Sequence, residues 1–106
     1  MVKDLSDRSF ESEISEGLAV VDFWADWCQP CRMMAPIFSS VADEMPNVKF
    51  FKLSLDEYEN VGVENGVTSI PTIMIFRDGE RVGTLIGAMP KQKLMNELMK
   101  FTETSN

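Results

Sequence analysis

An α/β fold, with a mixed central sheet of four to five strands flanked by helices on both faces, is predicted by three observations. Apolar runs of strand length alternate with stretches of helical periodicity in the order strand, helix, strand, after which the pattern changes to a hairpin and one last helix. The dipeptide Asp78-Gly79 sits between two such runs, where a tight two-residue turn fits. The chain has 106 residues, 44% of them apolar, which is enough for one hydrophobic core, so residues 1–106 are expected to form a single domain.

The elements follow in order. A short strand is expected around Val2. The segment Ser6 to Glu16 carries Phe10 and Ile14 four apart amid polar residues, the mark of a short amphipathic helix, and Gly17 ends it. Leu18 to Trp24 reads as a fully buried strand in which Asp22 is the one charged residue. From about Cys28 onward, Met34, Ile37, Phe38, Val41, Ala42 and Met45 share one helix face, and Met45-Pro46 closes the helix. Pro36 lies inside it and is expected to kink it by deleting a ladder hydrogen bond. Val48 to Leu55 is a further strand, and a short helical segment from Glu57 to Glu64 is ended by Asn65-Gly66. Thr72 to Phe76 and Arg81 to Ile86 form the hairpin strands. The last helix runs from about Lys91 to Thr102, with Leu94, Met95, Leu98 and Phe101 at helical spacing. There is no internal repeat.

Charge excludes some functions. Seventeen acidic residues against ten basic ones give a net charge of -7, and no run of Lys or Arg is available to track a phosphate backbone, so nucleic acid is not an expected partner. The longest strongly apolar stretches, Leu18 to Val21 and Ile73 to Phe76, are too short to cross a bilayer, and Met1 to Ser6 lack a signal-peptide core. The expectation is a cytoplasmic protein with no membrane partner.

The only two cysteines, Cys28 and Cys31, stand three apart at a strand-to-helix junction. As a structural staple so small a ring contributes only about 2 kcal/mol before strain is subtracted. A zinc site needs four ligands, and the chain has neither His nor a third Cys, which leaves only a carboxylate-completed or chain-bridging metal as an alternative; no metal is expected. The lack of His also removes the commonest general base and any Cys-His protease arrangement. Redox chemistry suits the pair better. A thiolate, not a thiol, attacks a disulfide, and Cys28 at a helix mouth meets unpaired backbone N–H groups and the positive end of the helix dipole. Cys31, one turn later, is placed to attack a mixed disulfide on Cys28 and release the product. Pro30 fits the first helical turn, where a missing N–H costs nothing.

Other residues carry two readings. Asp22 within an apolar strand costs desolvation and should titrate above the ordinary carboxylate range, although an aspartate at a frayed strand end facing water is the commoner case. Trp27 beside Cys28 suits an exposed apolar rim with Ile70, Gly87 and Ala88. Pro71 begins a strand, and base rates alone favour a trans bond before it. The eight methionines, Met34, Met45 and Met95 among them, fall mostly at core spacing and mark no cofactor site.

The stretch from Val21 through Asp22, Trp24, Trp27, Cys28, Gln29 and Pro30 to Cys31 resembles the active-site segment of the thioredoxin family. Pro36, Lys52, Ile70-Pro71-Thr72, Asp78-Gly79 and Gly87 correspond as well, so the resemblance spans nearly the whole chain. It implies a thioredoxin-like fold and a thiol-disulfide oxidoreductase that reduces disulfides in partner proteins through a reversible Cys28–Cys31 dithiol/disulfide, recycled by a thioredoxin reductase. No bound cofactor is implied, because the cysteine pair stores both electrons, and a monomer is expected. The same resemblance makes Asp22 the proton acceptor for Cys31, with Lys52 as its ionic partner, and Asp56 the partner of the Trp24 indole. It also makes the Ile70-Pro71 bond cis, with the Ile70 backbone pairing with an extended substrate. Trp27, Gln29, Pro30, Ile70, Pro71, Gly87 and Ala88 would then form the substrate-binding rim. Gln29 departs from the family, which usually has Gly there, and Ser69 replaces a common small residue; both bear on potential and substrate preference. A glutaredoxin-like activity, an isomerase or oxidase, and a non-catalytic binding module of a larger complex are the alternatives, since one fold supports them all.

Overall fold

The computed structural model describes residues 1–102. Five strands, β1 (Val2–Leu5), β2 (Leu18–Trp24), β3 (Lys49–Ser54), β4 (Thr72–Arg77) and β5 (Glu80–Ile86), form one sheet in the order β1-β3-β2-β4-β5. The pairings of β1 with β3 and β3 with β2 are parallel; those of β2 with β4 and β4 with β5 are antiparallel. The sheet is therefore mixed, as expected, and β2 is its middle strand.

Side chains alternate across β2, and this alternation divides the core into two layers. Ala19, Val21 and Phe23 pack with Phe10 of the helix α1 (Phe10–Glu13), with Ile14 just after it, and with Val61 of α3 (Glu59–Glu64). Val20 points the other way, toward Met34, Phe38, Val41 and Ala42 of α2 (Gln29–Glu44) and Leu94 and Leu98 of α4 (Lys91–Thr102). Edge-on aromatic pairs tighten both layers: Phe10 meets Phe76 with centroids 5.7 Å apart, and Phe38 meets Phe50 at 5.3 Å. By the same alternation Asp22 belongs to the α2 side.

Several boundaries differ from expectation, β4 and β5 by one residue each. α1 is only four residues long, and a turn precedes it in which the Ser6 hydroxyl accepts from the N–H groups of Arg8 and Ser9 and the Ser6 N–H donates to the Ser9 hydroxyl. Phe10 and Ile14 are nevertheless both buried. α3 starts at Glu59 rather than Glu57, and β3 is one residue shorter at each end than its apolar run. α2 continues through Pro36 as one helix.

Two glycines make turns that other residues resist. Gly66 has φ +75°, and after it the N–H of Val67 reaches the Gly62 carbonyl while that of Gly66 reaches Val63, the paired bonds that satisfy a helix C-terminus. At the hairpin both Asp78 (φ +51°) and Gly79 (φ +86°) are left-handed, as a two-residue turn matched to strand twist requires. Asp78 is also tied to Gly17 by a reciprocal pair of hydrogen bonds, which anchors the hairpin to the start of β2.

Candidate active site

The middle strand delivers the chain directly to the cysteines. After Trp24 it turns, the Cys28 N–H bonding back to the Ala25 carbonyl, and Cys28 becomes the N-cap of α2 with extended backbone. Its sulfur accepts the Cys31 N–H at 3.2 Å, so a helix-terminal donor that would otherwise lack a partner points at this sulfur. A negative sulfur is stabilised there both by that bond and by the helix dipole. Pro30 stands in the first turn, and Gln29 beside it is exposed. Cys28 and Cys31, with Cα atoms 5.2 Å apart, are joined as a disulfide. In this oxidised state both sulfurs are covered: Cys28 is 5% and Cys31 2% exposed, because Ala25, Trp24 and Ile70 pack around both.

Facing the pair is the turn before β4. Ile70-Pro71 is cis, as the resemblance implied and the base rate did not. The Cys28 sulfur lies 3.8 Å from the Ile70 carbonyl oxygen. The carbonyls on either side are taken, that of Ser69 by the Thr72 hydroxyl and that of Pro71 by the Gly87 N–H at 2.9 Å. Pro71 itself is buried, whereas Ile70 and Gly87 are half-buried and Trp27, Gln29, Pro30 and Ala88 exposed, so of the expected rim only Pro71 is out of reach of solvent.

Behind Cys31 opens a cleft of about 650 Å³, whose walls include Asp22, Trp24, Cys31, Phe38 and Lys52. Asp22 is 4% exposed, and its Oδ1 has no hydrogen-bond partner among the described residues. Burial pushes its carboxyl from the ordinary 3.8 up to about 7, against the opposing pull of the Lys52 charge. Lys52 is the register neighbour of Asp22 on β3, but its close ion pair is with Asp4 of β1 at 3.9 Å, and its ammonium lies 5.5 Å from the Trp24 ring centre. The expected Asp22–Lys52 partnership thus acts through the field rather than through contact.

One expected bond is corrected. Asp56 holds Trp27, not Trp24: its Oδ1 accepts the Trp27 indole N–H at 3.0 Å, and its Oδ2 accepts the Asp26 N–H at 2.9 Å. The Trp24 indole N–H is buried on the α2 side with no partner among the described residues. The physical reason is the alternation along β2, which sends Trp24 into the layer with Val20 and Asp22, while Trp27 lies past the strand in a turn that Asp56 faces. Trp27 is accordingly 73% exposed, its ring held at the surface by its nitrogen. Sequence reasoning also missed Arg32, whose guanidinium donates to the Asp26 carbonyl at 2.7 Å from the other side of that turn. No pattern in the chain marks it. No group of three or more metal-ligating side chains occurs among the described residues.

A strand-turn-helix unit with a sulfur at the helix N-terminus and a second sulfur one turn on defines a thiol-disulfide oxidoreductase. The thioredoxin family model matches residues 1–100. The chain is 45% identical over 102 residues to a thioredoxin of Listeria monocytogenes, covering 95% of this chain and 99% of that one. It is 46% identical over 103 residues to a thioredoxin of the alga Porphyra purpurea, at 94% and 96% coverage. The crystal structure of a Malassezia sympodialis thioredoxin superposes with a TM-score of 0.87 at 31% identity, covering 93% of this chain and 91% of that one. The chain belongs to the thioredoxin family, and its activity is that of a protein-disulfide reductase.

Proposed function

We propose that residues 1–106 work as one domain and as a cytoplasmic monomer, taking electrons from a thioredoxin reductase and passing them to disulfides of partner proteins. Cys28 is the nucleophile. The observation that carries this reading is the Cys31 N–H directed at the Cys28 sulfur at the N-cap of α2, since that donor favours a thiolate on Cys28 and not on Cys31. The Cys28 thiolate attacks one sulfur of the substrate disulfide; that bond breaks, and the first substrate sulfur leaves as a thiolate and is protonated. Cys31 then loses its proton toward Asp22 and attacks the Cys28 sulfur, releasing the second substrate thiol and leaving the Cys28–Cys31 disulfide. Two electrons have moved from the cysteine pair to the substrate. The reductase later returns them.

Asp22 suits proton exchange because a carboxyl titrating near 7 is poised for either direction at neutral pH. Trp27, Gln29, Pro30, Ile70, Pro71, Gly87 and Ala88 frame the docking surface, with Ile70 offering its backbone to an extended substrate. A reducing role also fits the cytoplasm, where thiols stay reduced.

Three measurements on the reduced protein test the assignment. Cys28→Ser should abolish reduction of a protein disulfide. Cys31→Ser should accumulate a mixed disulfide with substrate on Cys28. Limiting iodoacetamide should alkylate Cys28 first; label found mainly on Cys31 reverses the two roles.

A further inference from the structure

The loop from Gly87, just past β5, to Pro90, just before α4, has no helix or strand of its own to fix it. Its first residue donates to the Pro71 carbonyl. Its last, a proline, has no N–H, and its carbonyl accepts from Leu94 inside α4. Between them Ala88 makes no backbone hydrogen bond among the described residues, whereas the Met89 N–H donates to the Met34 Sδ at 3.3 Å. Among the described residues, that is the loop's one hydrogen bond to α2.

A methionine in a packed layer has a plain use. Met34 is fully buried with Phe38, Leu94 and Leu98, and an unbranched thioether fills such space well. Filling space does not require the sulfur to meet an N–H. A thioether is a weak acceptor, and backbone donors out of water normally find oxygen. Met89 is half-buried against the same layer, where an N–H left without any acceptor is costly. Position adds to this: Met34 follows Cys31 by one turn of α2, and both are buried. The helix that carries the second sulfur therefore also carries the acceptor that ties down the loop.

We propose that Met34 is a positioning residue for substrate docking: its Sδ, by accepting the Met89 N–H, holds Gly87 and Ala88 in a fixed place relative to the Cys28–Cys31 pair. The proposal rests on the reading of Gly87 and Ala88 as part of a docking rim and adds what keeps that part in place. With the bond made, a substrate meets a loop already ordered. Without it, docking must first order the loop, which weakens binding and leaves the chemistry at the sulfurs as it was.

The test compares Met34→Leu, which keeps the volume and removes the acceptor, with Met45→Leu, the same exchange in the same layer at a sulfur that accepts no hydrogen bond among the described residues. Volume-conserving exchanges of this kind are the best tolerated in cores, so both variants fold. Single-turnover oxidation of each reduced protein by excess insulin gives a half-saturating concentration and a limiting rate, and NMR follows exchange of the Met89 amide hydrogen. Met34→Leu should raise half-saturation about threefold at an unchanged limiting rate, the scale of one weak hydrogen bond, and should speed Met89 exchange at least threefold. Met45→Leu should match wild type in both. An equal rise of half-saturation in the two variants, or a fall in limiting rate alone, overturns the proposal and makes Met34 a packing residue. If Met89 exchange accelerates while half-saturation stays, the sulfur holds the loop but the loop is no docking rim, and that reading falls with the proposal. If neither changes, the proposal falls alone; if wild type does not reduce insulin, the reductase reading falls as well.

Discussion

Asp22 and Asp56 stand on opposite sides of one dithiol, and their surroundings differ in every respect that matters to a carboxylate. Asp22 lies on the middle strand, 4% exposed, with one oxygen lacking any hydrogen-bond partner among the described residues. Asp56 lies past the end of β3, exposed, with both oxygens accepting N–H groups of the turn that leads to Cys28. Burial without partners raises the free energy of the charged form and leaves a group whose proton is easily exchanged near neutrality. Partners without burial leave the charge comfortable and make the carboxylate a clamp. On the proposed mechanism one residue type thus serves proton exchange behind the sulfurs and places Trp27 in front of them.

The same substitution at the two sites should therefore act with opposite sign. Asp22→Asn has the larger expected effect. With a folded value of about 7 against an ordinary 3.8, the unfolded chain ionises first, so below pH 4 the group costs nothing. As pH rises through that interval it becomes destabilising, and above 7 the cost levels off at about 4 kcal/mol. Urea unfolding of both proteins from pH 4 to pH 8 should show the mutant gaining stability over wild type with rising pH, while it releases reduced substrate more slowly. A mutant less stable at pH 8 and fully active would make Asp22 a structural aspartate only.

Asp56→Asn should go the other way. One of its two acceptors becomes an amide NH₂ facing an N–H, which costs about 1–2 kcal/mol in a partly solvated site. Denaturant midpoints should fall, and Trp27 fluorescence anisotropy should drop as the indole loses its anchor. An unchanged anisotropy would mean that packing, not the carboxylate, holds the ring.

The smallest effect concerns the residue between the sulfurs. Gln29 is exposed on the first turn of α2, next to the Cys28 sulfur in sequence, so Gln29→Gly should shift the reduction potential by more than about 5 mV. Equilibration against glutathione and dithiothreitol buffers measures it. A smaller shift, less than about 0.3 kcal/mol, would make Gln29 a neutral substitution.

Much of this was legible in the chain because periodicity reports local geometry. The apolar run 18–24 placed a buried strand, and the spacing of Met34, Phe38, Val41 and Ala42 placed the inner face of α2. Cys28 at the junction of the two followed from their order. What was not legible depends on which strands become neighbours. Lys52 pairs with Asp4 because β1 lies beside β3, and no local pattern announces that adjacency. Trp24 and Trp27 are three apart, and only the end of the strand between them decides that the second reaches Asp56. Hydroxyl-to-backbone bonds, which periodicity does not see, shape the turn from Ser6 to Ser9 that precedes α1.

The Gly87 N–H that reaches the Pro71 carbonyl joins the end of β5 to the start of β4 and so links the two chain segments of the proposed docking rim. A partner that spans Ile70 and Ala88 meets segments whose freedom relative to each other was given up when the chain folded. Ordering a flexible receiving surface costs an association about 0.5–1.5 kcal/mol for each side chain immobilised, with backbone loops adding to it. Here the backbone share is settled before any encounter. If the rim docks substrates as proposed, partners differ in affinity through the side chains they bring rather than through the shaping of the surface that receives them.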